Sequence, residues 1–321
     1  MTVGRLLLSA YKGRFGKMAN NYLYVNILAT AVTAAERAGE VIRQVMSSGN
    51  LDIVLKGVND PQTAADRSAQ ITITSILKNR FPKLTIIGEE GDMGEHEIDT
   101  SEFKPSELVL NDPCPKELQN IQEEDLVIWV DPLDGTNEFT QGLVENATVM
   151  IGLALNGLSV GGVIHQPYWS DKLEEDDCDK KLGRTIWGTV GGNIGGIEVN
   201  MPNPENLIIT TTRSHSNKAV EDGIKALGAS EVLRVGGAGY KVLLLLESKA
   251  HCYVFPTPGS KRWDICGPEA ILTAAGGILT DTKGNKYDYS KDTPHLNSEG
   301  VLAALNPDIH KRCLEILNSY A

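Results

Sequence analysis

Residues 126–136, Leu-Val-Ile-Trp-Val-Asp-Pro-Leu-Asp-Gly-Thr, constrain the chain more than any other stretch. The apolar run from Leu126 to Val130 reads as a buried strand. It ends at Asp131 and Asp134, three positions apart, with Pro132 between them and Gly135 after them. Proline removes a ladder donor, so the strand is expected to stop there. Asp134-Gly135 is turn chemistry. The stretch therefore holds two carboxylates at the tip of a strand. Two such anions repel unless a cation lies between them, and oxygen-only donors suit a hard ion such as Mg²⁺. Taken alone, the same residues serve equally well as a solvated Pro-x-Asp-Gly turn.

Length and charge narrow the partners. The 321 residues predict two domains. A net charge of −12 argues against a nucleic-acid polymer. An anionic small molecule is still admissible where bound cations reverse the local charge. Five scattered cysteines with no Cys-x-x-Cys pair point to a reducing compartment and no structural zinc. No apolar run is long enough to span a bilayer. Residues 1–17 carry Arg5, Lys12, Arg14 and Lys17 and no acid, which reads either as a mitochondrial transit segment or as an extension before Met18. Asn146-Ala147-Thr148 fits a glycosylation pattern but falls in an expected strand.

Apolar spacing predicts a helix from Asn26 to Met46, ended by Gly49. A short strand is expected over 52–55 and a second helix from Gln62 to Asn79, with Asp66 in its first turn. Leu84 to Gly88 is a second strand, delivering Glu89 and Glu90 at its end. Residues 91–124 are polar and irregular. Asn156-Gly157 marks a hairpin between two strands, and 171–181 is an acidic loop. The glycines at 191–196 and the prolines at 202 and 204 place a domain boundary at 202/203. Beyond it strands and helices alternate, with Ser214 as the expected cap of a helix near 218–226 and a helix from Pro268 to Ala275. The first domain, 1–202, is thus α+β and the second, 203–321, is α/β.

Three segments agree at once: Gly88-Glu89-Glu90, Asp131-Pro-Leu-Asp-Gly-Thr136, and Trp263-Asp264 separated by eleven residues from Gly276-Gly277. Together they resemble the signature of the lithium-sensitive, magnesium-dependent phosphatases, the superfamily of inositol monophosphatase and fructose-1,6-bisphosphatase. Lys83–Glu90, Thr210–Lys218 and Arg234–Gly239 are similar to its bisphosphate nucleotidase branch, in the cytosolic animal form. The resemblance runs from about Asn26 to Leu305 and leaves out the basic extension. It implies a two-domain layered αβαβα sandwich, a cytoplasmic protein, and two or three Mg²⁺; the sequence leaves the oligomeric state open, with a monomer favoured. By the same resemblance Glu89, Asp131, Asp134, the Leu133 carbonyl and Asp264 are metal ligands, and Asp66 with Thr136 handles the attacking water. Thr136, Thr212, His215, Gly237, Lys241 and Asp264 contact the substrate. Tyr240 and Arg262 depart from the residues seen in that branch, Asn and Lys.

The chemistry of the residues agrees. Four acids from three separated segments need cations to sit together. The resemblance implies hydrolysis of the 3′-phosphate of adenosine 3′,5′-bisphosphate, with 3′-phosphoadenosine 5′-phosphosulfate as a second substrate. Rival readings are an inositol 1,4-bisphosphate 1-phosphatase and a catalytically silent metal- and nucleotide-binding sensor. His215, with Arg213 and Lys218 beside it, favours phosphate or base contact over a purely structural role. Gly236 to Gly239, ahead of a helix, is by itself a weak anion signal.

Overall fold

Helix α1, Leu23–Ser48, buries Tyr24, Ile27, Leu28, Ala31, Ala34, Ala35, Ala38 and Ile42 along one side. It stops where Gly49 takes a left-handed φ of 72° and returns its N–H to the Met46 carbonyl. The structure is a computed structural model and describes residues 22–57, 60–94, 96, 98–170, 182–201 and 206–320. The basic extension 1–17, the acidic loop 171–181 and the expected domain boundary at 202/203 lie outside the described residues.

The remaining elements follow in order. Strands β1 (Val54–Gly57) and β2 (Asp60–Gln62) form a hairpin, and α2 is Ala64–Arg80. Then come β3 (Thr85–Gly88), a short α3 (Glu107–Leu110), β4 (Leu126–Asp134), a short α4 (Thr136–Thr140), β5 (Thr148–Leu155), β6 (Leu158–Gln166), β7 (Arg184–Thr189) and β8 (Ile194–Gly195). The last part carries β9 (Ile208–Thr212), α5 (Lys218–Leu227), β10 (Glu231–Val235), α6 (Ala238–Leu246), β11 (Cys252–Phe255), α7 (Arg262–Ala274), β12 (Ile278–Thr280), β13 (Val301–Ala304) and α8 (Pro307–Tyr320).

Two sheets stand at the centre. One runs β3-β4-β5-β6-β7-β8, with β3 parallel to β4 and the other pairs antiparallel. The other runs β10-β9-β11-β13-β12, with β10, β9 and β11 parallel. Helices α1 and α2 cover one face of the first sheet. Helices α6 and α7 lie between the sheets, and α5 and α8 cover the outer face of the second. This is the five-layer αβαβα order. One core lies under α1 and α2; a second, around Trp129, Leu243, Trp263 and Tyr289, fills the space between the sheets.

Four local expectations need correction. Strand β4 does not stop at Pro132. It resumes pairing at Asp134 opposite Thr148, after Asp131 opposite Met150, so one extra residue is bulged out. The bulge absorbs the missing proline donor and puts both aspartates at the strand end. Helix α7 begins at Arg262, with Pro268 inside it rather than at its start. Its N-terminus is set by Lys261, whose N–H donates to Asp264 Oδ2 at 2.8 Å, and this local bond outweighs the proline's preference for a first turn. The cap of α5 is Asn217, not Ser214, through Val220 N–H to Asn217 Oδ1 at 3.1 Å. The first short strand begins two residues later than expected, at Val54. The hairpin holds as read, with Asn156 and Gly157 at φ of 52° and 77°. Asn146 and Thr148 are buried, which removes the glycosylation reading. No helix among the described residues is long and apolar enough to cross a membrane.

Glu269, on α7, accepts the hydroxyl hydrogen of the buried Tyr289. Burial lifts its carboxyl from 4.5 to about 7, against that hydrogen bond and the charges of Lys286 and Arg262. A folded-state value above the unfolded one means the folded chain keeps the proton longer. Stability contributed by this group is therefore full at low pH and falls as pH rises through about 7. At ~1.4 kcal/mol per pH unit the interval is worth up to ~3 kcal/mol. Glu269→Gln carries no titrating proton, so its stability relative to wild type should rise between pH 5 and 8, read by urea unfolding at both values. Parallel losses in the two proteins would refute the assignment.

Candidate active site

The two aspartates of β4 are held by their own strand end. Asp131 is buried and accepts the Leu133 N–H at 3.1 Å. Gly135 then turns with φ of 82°, and α4 starts at Thr136. The Thr136 hydroxyl lies 2.8 Å from the Leu133 carbonyl and 2.9 Å from Asp66 Oδ1. Its single proton serves one of these acceptors at a time.

Asp66 sits in the first turn of α2 with no exposure. Its Oδ2 accepts from the Thr63 N–H at 2.7 Å and the Thr63 hydroxyl at 2.6 Å. The capping and catalytic readings of this residue are thus both occupied, by its two oxygens. Burial raises its carboxyl to about 6, while the hydrogen bonds from Thr63 and Thr136 oppose the rise.

The other acids converge from the end of β3, from β4 itself and from the first turn of α7. The Glu89 N–H donates to the Val130 carbonyl at 3.0 Å, which seats Glu89 beside the end of β4. Asp134 Oδ2 accepts from the Gly239 N–H at 2.8 Å and the Thr148 hydroxyl at 3.1 Å. Asp264 is fixed by Lys261 N–H at the start of α7. Burial drives all of them toward the protonated form, and they reinforce one another. Asp131 is pushed far up by burial and then by Glu89, Asp134, Asp264 and Asp66. Asp264 is raised to about 8 by burial, Asp134 and Glu89. Asp134 is also raised by burial, against Lys241 and the backbone donors of α6.

Lys56 was not singled out in the sequence. Its ammonium lies 2.8 Å from Glu89 Oε1 and 3.0 Å from Glu90 Oε1. Burial pulls its pKa down, but Glu89 and Glu90 outweigh that and hold it above the ordinary lysine value. No local pattern joins positions so far apart; they meet only because the β1–β2 hairpin folds beside the end of β3. Thr63 was legible, as the start of a Thr-x-x-Asp capping pattern.

The donor set tests the fit of a metal. It is all oxygen, buried and self-repelling, which suits a hard divalent cation. As the side chains stand, no three Asp, Glu, His or Cys residues among those described are grouped to ligate one ion. Lys56 bonds Glu89 Oε1, and Gly239 and Thr148 bond Asp134 Oδ2, so one oxygen of each carboxylate is held by a protein donor.

A cleft of about 550 Å³ brings the two halves of the prediction together. Asp134, Thr136 and Asp264 line it with Thr212, His215, Gly237 and Lys241. Asp66, Glu89, Asp131 and Leu133 are not among its lining residues; Asp66 and the Leu133 carbonyl reach it through Thr136. A larger recess of about 1180 Å³, between α2, β3 and the segment after Gly91, holds none of the site residues read from the sequence. Gly237 is required twice over. Its φ is 73°, and a Cβ there would fall 2.9 Å from the Asn146 carbonyl oxygen and 3.0 Å from Asp134 Oδ2. Lys241 is buried, with Nζ donating to the Gly237 carbonyl at 2.8 Å. Burial lowers its pKa, against Asp134, Glu138 and Asp264. His215 is exposed, its N–H on Thr212 Oγ1 at 3.0 Å.

Comparison with known proteins decides the family. The inositol monophosphatase family pattern matches residues 24–319. The chain belongs to the inositol monophosphatase family. Human 3′(2′),5′-bisphosphate nucleotidase 1 is 50% identical over 290 residues, 89% of this chain and 93% of the relative. The Dictyostelium discoideum protein of the same name is 39% identical over 316 residues, 94% and 99% of the two chains. An extragenic suppressor protein of Bartonella henselae superposes with a TM-score of 0.67 at 22% identity, covering 91% of this chain and 98% of that one. An inositol monophosphatase from Zymomonas mobilis gives 0.62 at 20% identity, covering 92% and 99%. These two structures establish the layered fold. Inositol monophosphatase family members are metal-dependent phosphatases, typically with Mg²⁺, and lithium sensitivity is typical of them. This chain is accordingly a phosphoric monoester hydrolase.

Proposed function

We propose that the chain removes the 3′-phosphate of adenosine 3′,5′-bisphosphate, giving AMP and phosphate, and accepts 3′-phosphoadenosine 5′-phosphosulfate in the same cleft. One observation carries the reading. The cleft lined by Asp134, Thr136 and Asp264 is also lined by Thr212, His215, Gly237 and Lys241, so a hydrolytic end and a cationic, hydrogen-bonding end face one space. The names of the relatives at 50% and 39% identity support the same substrate. In this reading residues 1–202 and 203–321 are two domains with the substrate between them, in a cytoplasmic monomer. The four described cysteines, free and buried, suit a reducing compartment.

Glu89, Asp131, Asp134, Asp264 and the Leu133 carbonyl would hold two or three Mg²⁺. When bound, these supply positive charge opposite the phosphate and lower the pKa of water. The chain's own part is proton handling and placement. Thr136 takes a proton from the attacking water as its own passes to Asp66 Oδ1, 2.9 Å away. Asp66, at about 6, is mostly ionised at neutral pH and so ready to accept. The two Thr63 donors hold its other oxygen and leave Oδ1 for Thr136. Water attacks phosphorus in line with the leaving 3′-oxygen, the P–O3′ bond breaks, and the 3′-oxygen takes a proton from solvent to leave as the hydroxyl of AMP, with no covalent phosphoenzyme.

Phosphate release from a panel of nucleotide and inositol phosphates, with and without Mg²⁺, tests the reading. Faster turnover of inositol 1,4-bisphosphate than of adenosine 3′,5′-bisphosphate would overturn the substrate. No turnover of any would return the chain to the sensor reading.

Lys241→Ala gives a sharper test of the second-phosphate contact. Loss of one charge-assisted contact, about 1.5–3 kcal/mol, should raise KM for adenosine 3′,5′-bisphosphate at least about tenfold. KM for 3′-AMP, which has only the scissile phosphate, should rise much less. An equal rise on both would mean that Lys241 serves Asp134, Glu138 and Asp264 rather than the nucleotide.

A further inference from the structure

Arg213 stands between two cleft residues, Thr212 and Ser214, yet its side chain does not line the cleft. It reaches instead to α4. Its Nη2 donates to Gln141 Oε1 at 3.0 Å, and its Nη1 lies 3.5 Å from Glu138 Oε1. Helix α4 is the short turn opened by Gly135 and Thr136, so this contact ties the loop carrying Thr212 and His215 to the turn carrying Thr136.

Glu138 shows how tight the tie is. Its side chain is 3% exposed, against 40% for Arg213. A Cβ on Gly236 would fall 2.0 Å from its Cδ, so the carboxyl is packed directly on the backbone ahead of α6. Lys241, on α6, feels its charge. One buried carboxylate from α4 therefore lies against the segments after β9 and before α6, within electrostatic reach of Lys241 in α6. These are the segments that bear Thr212, His215, Gly237 and Lys241. Arg213 contributes a hydrogen bond to Gln141 and a charge beside the buried Glu138, and sliding one side against the other would give up both.

We propose that Arg213 and Glu138 are positioning residues that fix the span between the hydrolytic turn and the second-phosphate end of the cleft. They thereby favour substrates whose two anionic groups stand at one set separation. The inference rests on the bisphosphate nucleotide reading above. It concerns the distance between the two ends, and Arg213 need touch no substrate.

Steady-state kinetics on adenosine 3′,5′-bisphosphate and on 3′-AMP test it, with wild type, Arg213→Ala, Arg213→Lys and Glu138→Gln. Arg213→Ala should raise KM for the bisphosphate about tenfold, the scale of one charge-assisted hydrogen bond. It should leave kcat on both substrates and KM for 3′-AMP unchanged. Arg213→Lys, which keeps the charge but not the two-pronged geometry, should recover part of the loss. Glu138→Gln should match Arg213→Ala, and the double variant should be no worse than either. If Arg213→Ala melts early, Arg213→Lys and Glu138→Gln carry the same comparison. An equal KM rise on both substrates, a fall in kcat on both, or wild-type kinetics in Arg213→Ala would overturn the proposal while leaving the function standing. A wild-type enzyme with no preference for the bisphosphate over 3′-AMP would remove the functional reading and this inference with it.

Discussion

Asp131→Asn, and separately Asp264→Asn, should lower kcat by at least about two orders of magnitude at saturating Mg²⁺, the scale of a lost transition-state charge interaction. Both side chains are withdrawn from solvent and both are pushed toward protonation by burial and by each other's neighbours. Such a cluster is unfavourable to folding and useful only if a cation enters it. The same substitution should therefore have opposite effects on activity and stability. Asparagine is neutral without taking up a proton, whereas each buried aspartate must either bind one or bear an unfavourable charge at pH 8, so Tm in EDTA should not fall and is expected to rise. That pairing separates a lost ligand from a damaged fold. Near-normal turnover by either variant, or a Tm that falls with kcat, would count against the carboxylates as the metal-holding set.

The parts of this site that sequence made legible are those with strong local chemistry. Asp131, Asp134, Gly135 and Thr136 form one continuous segment, so their mutual geometry is fixed by a strand end and a turn. Asp66 and Asp264 each begin a helix, where the backbone itself supplies the hydrogen bonds that hold them. Pro132 misled because a bulge can absorb a missing donor within a pairing strand, and the pairing partner is not visible from the strand alone. Pro268 misled in a similar way: the favourable capping bond at Lys261 starts α7 early and the proline is carried inside. Lys56 and Glu138 carry no local signal for a different reason. Their roles are electrostatic and arise between elements distant in the chain. Lys56 reaches the acids after β3, while Glu138 meets Arg213 and Gly236 across the cleft. Periodicity reports which side chains are buried, but a buried charge acquires its meaning only from the partner that tertiary folding brings to it.

Thr136→Ala should reduce kcat by about a hundredfold to ten-thousandfold, the range for loss of a positioned proton acceptor. The hydroxyl stands between two acceptors, Asp66 Oδ1 at 2.9 Å and the Leu133 carbonyl at 2.8 Å, and no other side-chain hydroxyl bonds to Asp66 Oδ1 among the described residues. Alanine removes the relay and leaves Asp66 with one oxygen still held by Thr63. Thr136→Ser keeps the hydroxyl and should retain most of the activity. Asp66→Asn should lose kcat on the same scale as Thr136→Ala, and the variant carrying both should be no slower than the worse single, because the two act as one unit. Thr63 caps α2 and donates its N–H to Asp66; asparagine keeps an oxygen for that bond, so Asp66→Asn and Thr136→Ser should both cost little stability. Single-turnover rates on adenosine 3′,5′-bisphosphate keep chemistry apart from product release in this comparison. If Thr136→Ala turns over within about tenfold of wild type, or if the two single losses multiply in the double variant, the hydroxyl and the carboxyl do not share a proton path. Their hydrogen bond would then be part of the architecture that joins α2 to the turn after β4.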